Sequence, residues 1–211
     1  AGKTTLMNIL FGHYTADAGT VTVFGRPLPP GSPRAAIAAG IGMVHQHFTL
    51  ATNMTALENV MIGTEPMTML RTDRQGARAK LMAIAERFGL LVDPDARVGD
   101  LSIGERQRVE ILKALFRDAK ILILDEPTAV LTQIESERLF SILRGMAKEG
   151  LSIIFISHKL GEVMQAADRV VVLRGGKVVA GRATGETNRG ELAELMVGRR
   201  VSRPVRQASA P

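Results

Sequence analysis

Ile121-Leu122-Ile123-Leu124-Asp125-Glu126-Pro127-Thr128 is the stretch on which the fold turns. Four consecutive branched apolar residues suit a strand buried on both faces, as in a parallel sheet. Two carboxylates follow at its C-terminal end, which is where open α/β sheets bind ligands. Asp125 is placed to hold a Mg²⁺ ion, and Glu126 to activate a water for attack on a phosphate. A strand followed by a solvated acidic turn, stopped by Pro127, is the plainer alternative.

A second fragment weighs against that alternative. Gly2-Lys3-Thr4-Thr5 matches the latter half of a phosphate-binding loop. Backbone N–H groups at a helix start face phosphate oxygens, a lysine there reaches the β and γ groups, and the hydroxyl after it coordinates Mg²⁺. Gly-Lys-Thr alone is weak, but joined to Asp125-Glu126 it favours a nucleotide site. The chain starts at Ala1 with no initiator Met and no strand before the loop. It reads as a sequence truncated inside that loop.

Bulk properties set bounds. The 211 residues suffice for a buried core, with 45% hydrophobic and 23% charged residues in an ordinary globular balance. Cysteine is absent, so these residues supply no disulfide and no thiolate metal site. No stretch approaches the roughly 18 apolar residues of a membrane span, and membrane association is expected only through a partner. The net charge of +6 would suit nucleic acid, but aromatics are 4%, Trp is absent and the basic residues are scattered. Their one concentration is Arg199, Arg200, Arg203 and Arg206, among Ser and Pro, which reads as a solvated linker over 199–211.

Along the chain, Thr20 to Phe24 alternate like a strand closed by Gly25, and Pro27, Pro29, Pro30 and Pro33 read as a loop. Ile41 to Val44 form an apolar run that ends in His45-Gln46-His47. Residues 70 to 91 are rich in Ala, Leu, Arg and Lys, with Leu81, Ile84, Ala85 and Phe88 at helical spacing. Ser102 and Glu105 are three apart, as in a capping box, and Val109, Leu112 and Leu115 continue that helix. Ile134, Leu139, Ile142, Leu143 and Met146 predict an amphipathic helix, and Ser152 to Ile156 a buried strand before Ser157-His158. Leu160, Val163, Met164 and Ala167 predict another helix. Arg174-Gly175-Gly176, between two apolar runs, signals a hairpin. Strands alternating with helices predict an α/β fold with a mostly parallel core sheet, and the early alternating strands a small antiparallel subdomain.

Taken in order, these motifs resemble the nucleotide-binding domain of the ATP-binding-cassette (ABC) transporter family over essentially the whole chain. Gln46 stands where that family has its Q-loop glutamine, and Leu101-Ser102-Ile103-Gly104-Glu105 where it has its signature. Asp125-Glu126-Pro127-Thr128 matches its Walker B run, and His158 its switch histidine. Ile103 and Glu105 replace the commoner Gly and Gln, and Thr132 stands where many members carry an aspartate. Met43 to Phe48, Val109 to Leu115 and Leu195 to Arg199 resemble the bacterial importers of nucleosides and simple sugars, which usually carry two such domains in tandem.

The resemblance implies a P-loop ATPase over 1–198, with a helical subdomain at about 70–117. It implies ATP and Mg²⁺ as cofactors. Gly2, Lys3, Thr4, Thr5 and Gln46 would bind nucleotide, with Thr4, Gln46 and Asp125 around the Mg²⁺. Glu126 would act as general base, and His158 would hold the γ-phosphate and the attacking water. Ser102, Gly104 and Glu105 would contact ATP on a second nucleotide-binding domain. Transmembrane permease subunits and, indirectly, a substrate-binding protein are the implied partners, at the cytoplasmic face of the inner membrane. No nucleic acid is expected. Nucleosides are the first expectation for cargo, pentoses or other simple sugars the second. A soluble cassette ATPase of DNA repair or translation is the rival from another class. His45 and His47, lacking further ligands, read as polar loop.

Overall fold

The computed structural model describes residues 2–64 and 73–198, which form two compact units. The larger is Thr4–Ile156; the smaller comprises the described residues of Ala1–Lys3 and Ser157–Pro211. The expected linker over 199–211 lies outside the described residues, as do residues 70–72 of the expected helical segment.

Chain order in the first half gives α1 (Lys3–Phe11), β1 (Thr22–Val23), β2 (Arg26–Pro27), α2 (Pro33–Ala38), β3 (Ile41–Val44) and α3 (Ala56–Met61). Strands β1 and β2 pair antiparallel around Phe24 and Gly25, whose φ values of 49° and 76° give the doubly left-handed turn that tight hairpins favour. The proline-rich stretch is only partly the expected loop. Pro27 stands in β2, and Pro33 opens α2, where Ser32 Oγ accepts from Ala35 N at 3.2 Å. A proline costs nothing at the first helical position, because that N–H has no intrahelical partner anyway.

The larger unit continues with α4 (Arg74–Phe88), α5 (Ile103–Phe116), β4 (Ile121–Asp125), α6 (Gln133–Lys148) and β5 (Ser152–Ile156). Its central sheet is parallel in the order β3-β4-β5. Val44 stands opposite Leu124, and Asp125 opposite Ile156. Leu122, Ile123 and Leu124 are buried, as a middle strand requires. Burial of each such side chain contributes about 1.5–3 kcal/mol. Met7 and Phe11 of α1 pack into one cluster with Met43, Ile123 and Ile156.

Two expectations are corrected here. Strand β5 is not buried throughout, since Ser152 and Ile154 are exposed. Among the described strands it pairs along one edge only, while Phe155 meets Phe140 of α6 at 5.4 Å between ring centroids. Ile134 is 79% exposed although it fits the apolar spacing. It lies in the first turn of α6, and the stripe that packs inward is Leu139, Leu143 and Met146.

Gly42 sets how closely α5 approaches the sheet. A Cβ added there would lie 2.8 Å from the Ala114 Cβ and 3.1 Å from the Ala119 Cβ. Gly42→Ala is therefore expected to destabilise the fold by about 1–3 kcal/mol through overpacking. Urea unfolding measures it, and an unchanged midpoint would refute the close contact.

The smaller unit holds α7 (Leu160–Ala166), β6 (Arg169–Arg174), β7 (Lys177–Ala183) and α8 (Arg189–Val197). Gly175 and Gly176, with φ of 57° and 77°, turn the β6–β7 hairpin expected from the sequence. Val172, Ala180 and Leu192 form its core, against Leu160 and Met164 of α7.

Candidate functional site

The end of β4 is chemically unusual. Asp125 is 3% exposed, and its Oδ1 has no hydrogen-bond partner among the described residues. A buried carboxylate oxygen without a donor is costly. A hard cation that takes oxygen ligands from one or two carboxylates would satisfy it, as Mg²⁺ does. The buried Asp125 carboxylate therefore fits the ion expected there. Glu126 follows with φ of 50°, a left-handed conformation that costs a non-glycine residue about 1 kcal/mol or more. Its N–H donates to Ile156 O at 3.1 Å, and Ala129 N donates back to Glu126 O at 3.1 Å. These bonds hold the turn, so the side chain after Asp125 leaves the strand in a fixed direction.

Parallel pairing brings the loop that carries Gln46 to the same sheet edge. Val44, opposite Leu124, is the last residue of β3, and Gln46 follows two residues later, exposed. Between them His45 stacks on His13 with ring centroids 5.3 Å apart, and Phe11 meets both rings edge-on. Burial pushes the His45 imidazole below its usual pKa, and His13 beside it adds to the shift. Glu110 and Asp125 pull the other way, which places His45 within their field. No local pattern points to His13, because its partner lies thirty-two positions away in the chain.

Lys3 opens α1, followed by exposed Thr4 and Thr5. That helix has no acidic residue in its first turn, so no carboxylate of that turn competes with an anion for its N–H groups. Gly2 before it has φ of 95°, and a Cβ on it would lie 3.3 Å from the Gly176 Cα. Met7 and Phe11 anchor the same helix in the core one and two turns on.

At the start of α5, Ser102 and Glu105 form the expected capping box. Ser102 N and Oγ donate to Glu105 Oε2 at 2.9 and 2.7 Å, and Glu105 N donates to Ser102 Oγ at 3.3 Å. Thr132 builds a second box with Glu135 at the start of α6. The two helix starts are neighbours, since a Cβ on Gly104 would come within 3.0 Å of Glu135 Oε1. Thr132, read from sequence as a departure from the family aspartate, thus has a local job as a cap.

Hydrogen bonds from the Ser102 side chain and backbone hold the Glu105 carboxyl below its ordinary pKa of 4.5. A lowered carboxylate pKa contributes stability that is present above the unfolded value and lost as pH falls through the folded one. Glu105→Gln is expected to flatten the pH dependence of unfolding below about pH 4.5. Thermal unfolding between pH 7 and 3 reads it, and parallel curves would contradict the assignment.

His158, exposed, lies two residues beyond β5 in the smaller unit. Its neighbours are tied down, because Lys159 N donates to Ser157 Oγ at 3.0 Å and Ser157 Oγ donates to Glu162 Oε2 at 3.0 Å. Within the larger unit, Gln46 lies two residues beyond β3 and the Asp125–Glu126 pair at the end of the adjacent parallel strand β4, while Ser102, Gly104 and Glu105 cluster at one helix start. Gly2, Lys3 and His158 belong to the smaller unit.

The family profile described as ABC transporter matches residues 1–129. The nucleoside import ATP-binding protein NupA of Lactococcus lactis subsp. cremoris is 49% identical over 210 residues, covering 100% of this chain and 42% of that protein. The glucose import ATP-binding protein TsgD13 of Haloferax volcanii is 45% identical over 229 residues, covering 95% of this chain and 42% of that protein. The chain thus spans less than half the length of these curated relatives. A crystal structure of the ADP conformation of an ATP-binding cassette from an ABC transporter matches with a TM-score of 0.80 at 25% identity. That match covers 94% of this chain and 84% of the other. With a parallel sheet, capped helices and motifs in this order, the chain belongs to the ABC transporter family.

Proposed function

We propose that this chain is an ATP-binding and ATP-hydrolysing domain that powers an ABC importer, with nucleosides as cargo. The observation that carries the enzymatic part is the buried, unpartnered Asp125 Oδ1 beside the strained Glu126 at the end of β4. Phosphoryl transfer asks for positioning and charge stabilisation more than for covalent chemistry by the protein. Lys3 and the first N–H groups of α1 bind phosphate. Thr4, Gln46 and Asp125 hold Mg²⁺, which when bound neutralises charge on the β and γ groups. Glu126 accepts the proton of the water that attacks the γ-phosphorus, and the bond to the β-phosphate oxygen breaks to leave ADP and inorganic phosphate. His158 holds the γ-phosphate and that water.

Ser102 and Gly104 face ATP on a second nucleotide-binding domain, which makes the nucleotide the glue between two domains. A permease supplies the membrane contact at the cytoplasmic face, a reading supported by the likeness to import ATP-binding proteins. Nucleoside cargo is supported by the likeness to NupA, a nucleoside import ATP-binding protein, and sugar cargo, the second reading, by the likeness to TsgD13, a glucose import ATP-binding protein. The full-length protein, purified from membranes, is expected to carry a hydrophobic permease and to release phosphate faster when nucleoside is supplied. Copurification with nucleic acid and no permease would overturn the importer reading. Stimulation by sugar alone would move the cargo to the second reading.

A further inference from the structure

The loop after β3 is gripped by two buried side chains from different helices. Glu110 on α5 is 4% exposed, and its carboxylate lies 61 positions from the residue it binds. Glu110 Oε1 accepts from Thr49 N at 2.5 Å and from Thr49 Oγ1 at 3.1 Å, with Oε2 at 3.3 Å from the same hydroxyl. Asn59 on α3 is fully buried; its Oδ1 accepts from Ala51 N at 2.7 Å, and its Nδ2 donates to Ala51 O at 3.0 Å. Gln46 therefore lies on a short span with both ends fixed. Val44 is held in the parallel ladder, and Thr49 is held by Glu110.

A carboxylate taken out of water is expensive to fold, and a helix stripe at this position asks only for an apolar residue. The hydrogen bonds it makes are spent on the loop. We infer that Glu110 is a positioning residue that sets the place of Gln46 through the Thr49 backbone, and so links α5 to the Mg²⁺ site. Ser102 caps the same helix eight residues earlier, about 12 Å along its axis. Gly42 lets α5 pack directly on β3, the strand that bears the loop. A shift of the Ser102 end is in this way passed to Gln46. The inference rests on the proposed role of Gln46 at Mg²⁺.

The test uses the full-length ATPase with its permease and four variants. Glu110→Met keeps the volume and removes the acceptors, Glu110→Gln keeps an acceptor for Thr49 N–H, Thr49→Val removes only the hydroxyl arm, and Gln46→Ala is the control. Glu110→Met is expected to speed amide exchange over residues 45–51 about tenfold or more, the loss of a hydrogen bond to a charged group. It should also raise the free Mg²⁺ needed for half-maximal hydrolysis at least about fivefold, a modest share of that loss, with Glu110→Gln restoring both. If Glu110→Met does not fold, Thr49→Val decides, with a smaller shift of the same sign at unchanged Tm. Loop exchange and Mg²⁺ midpoint both within about twofold of wild type, or Glu110→Gln as impaired as Glu110→Met, overturns the inference. Should Gln46→Ala leave the Mg²⁺ midpoint unmoved, the role of Gln46 fails instead, and loop exchange alone then judges the clamp.

Discussion

In the complete, paired protein, Glu126→Gln is expected to lower steady-state ATP turnover by about 10²–10⁴-fold, the usual worth of a general base, while ATP still binds. The substitution keeps the length and shape of the side chain and the left-handed backbone at φ of 50°, so the strained turn is not relieved. Its N–H bond to Ile156 O involves only backbone and persists. What disappears is the group proposed to take the proton from the attacking water. Nucleotide is then bound without being split, and the two domains should stay closed around it, visible as a stable dimeric form by size and by nucleotide retention. Turnover within a few fold of wild type would remove Glu126 as the base.

Ser102→Arg should stop turnover for a different reason, and in the opposite domain. Locally it removes the cap of α5, worth about 1 kcal/mol. It also places a cation at the positive end of a helix, at a further cost of about 0.3–1 kcal/mol. Both are too small to unfold a domain of ordinary stability. At the surface, however, a long charged side chain replaces the hydroxyl proposed to face the mate's nucleotide. Misplacing a reacting group by about 1 Å can cost 10²-fold in rate, so a loss of at least that order is expected with the variant's own phosphate loop intact. The test is hydrolysis by a heterodimer or tandem protein carrying the change in one half only. An unaffected rate would defeat the paired-site reading.

Much of the architecture was open to inspection in the chain itself. Ile121 to Asp125 announced a middle strand because burial on both faces demands an unbroken apolar run. The Ser102–Glu105 spacing announced α5 because both partners of a capping box lie within one turn. The same rule, applied to Thr55 and Glu58, would have found α3, whose capping box is complete. Helix α2 stayed hidden because Pro33 looks like a breaker unless its position relative to Ser32 is considered. Candidate site residues can be named from motif spacing, whereas what holds them cannot. Glu110 and Thr49, or His13 and His45, meet only through the folded sheet, and no local pattern records contacts at such separations.

The most direct measurement is a structure of the full-length Glu126→Gln protein with ATP and Mg²⁺. Lys3 Nζ at the β and γ phosphates, with the Asp125 carboxylate at the Mg²⁺ of the same nucleotide and Ser102 of one domain against ATP of the other, is the expected result. A triphosphate seated away from the end of β4, with Lys3 pointing elsewhere, would contradict it.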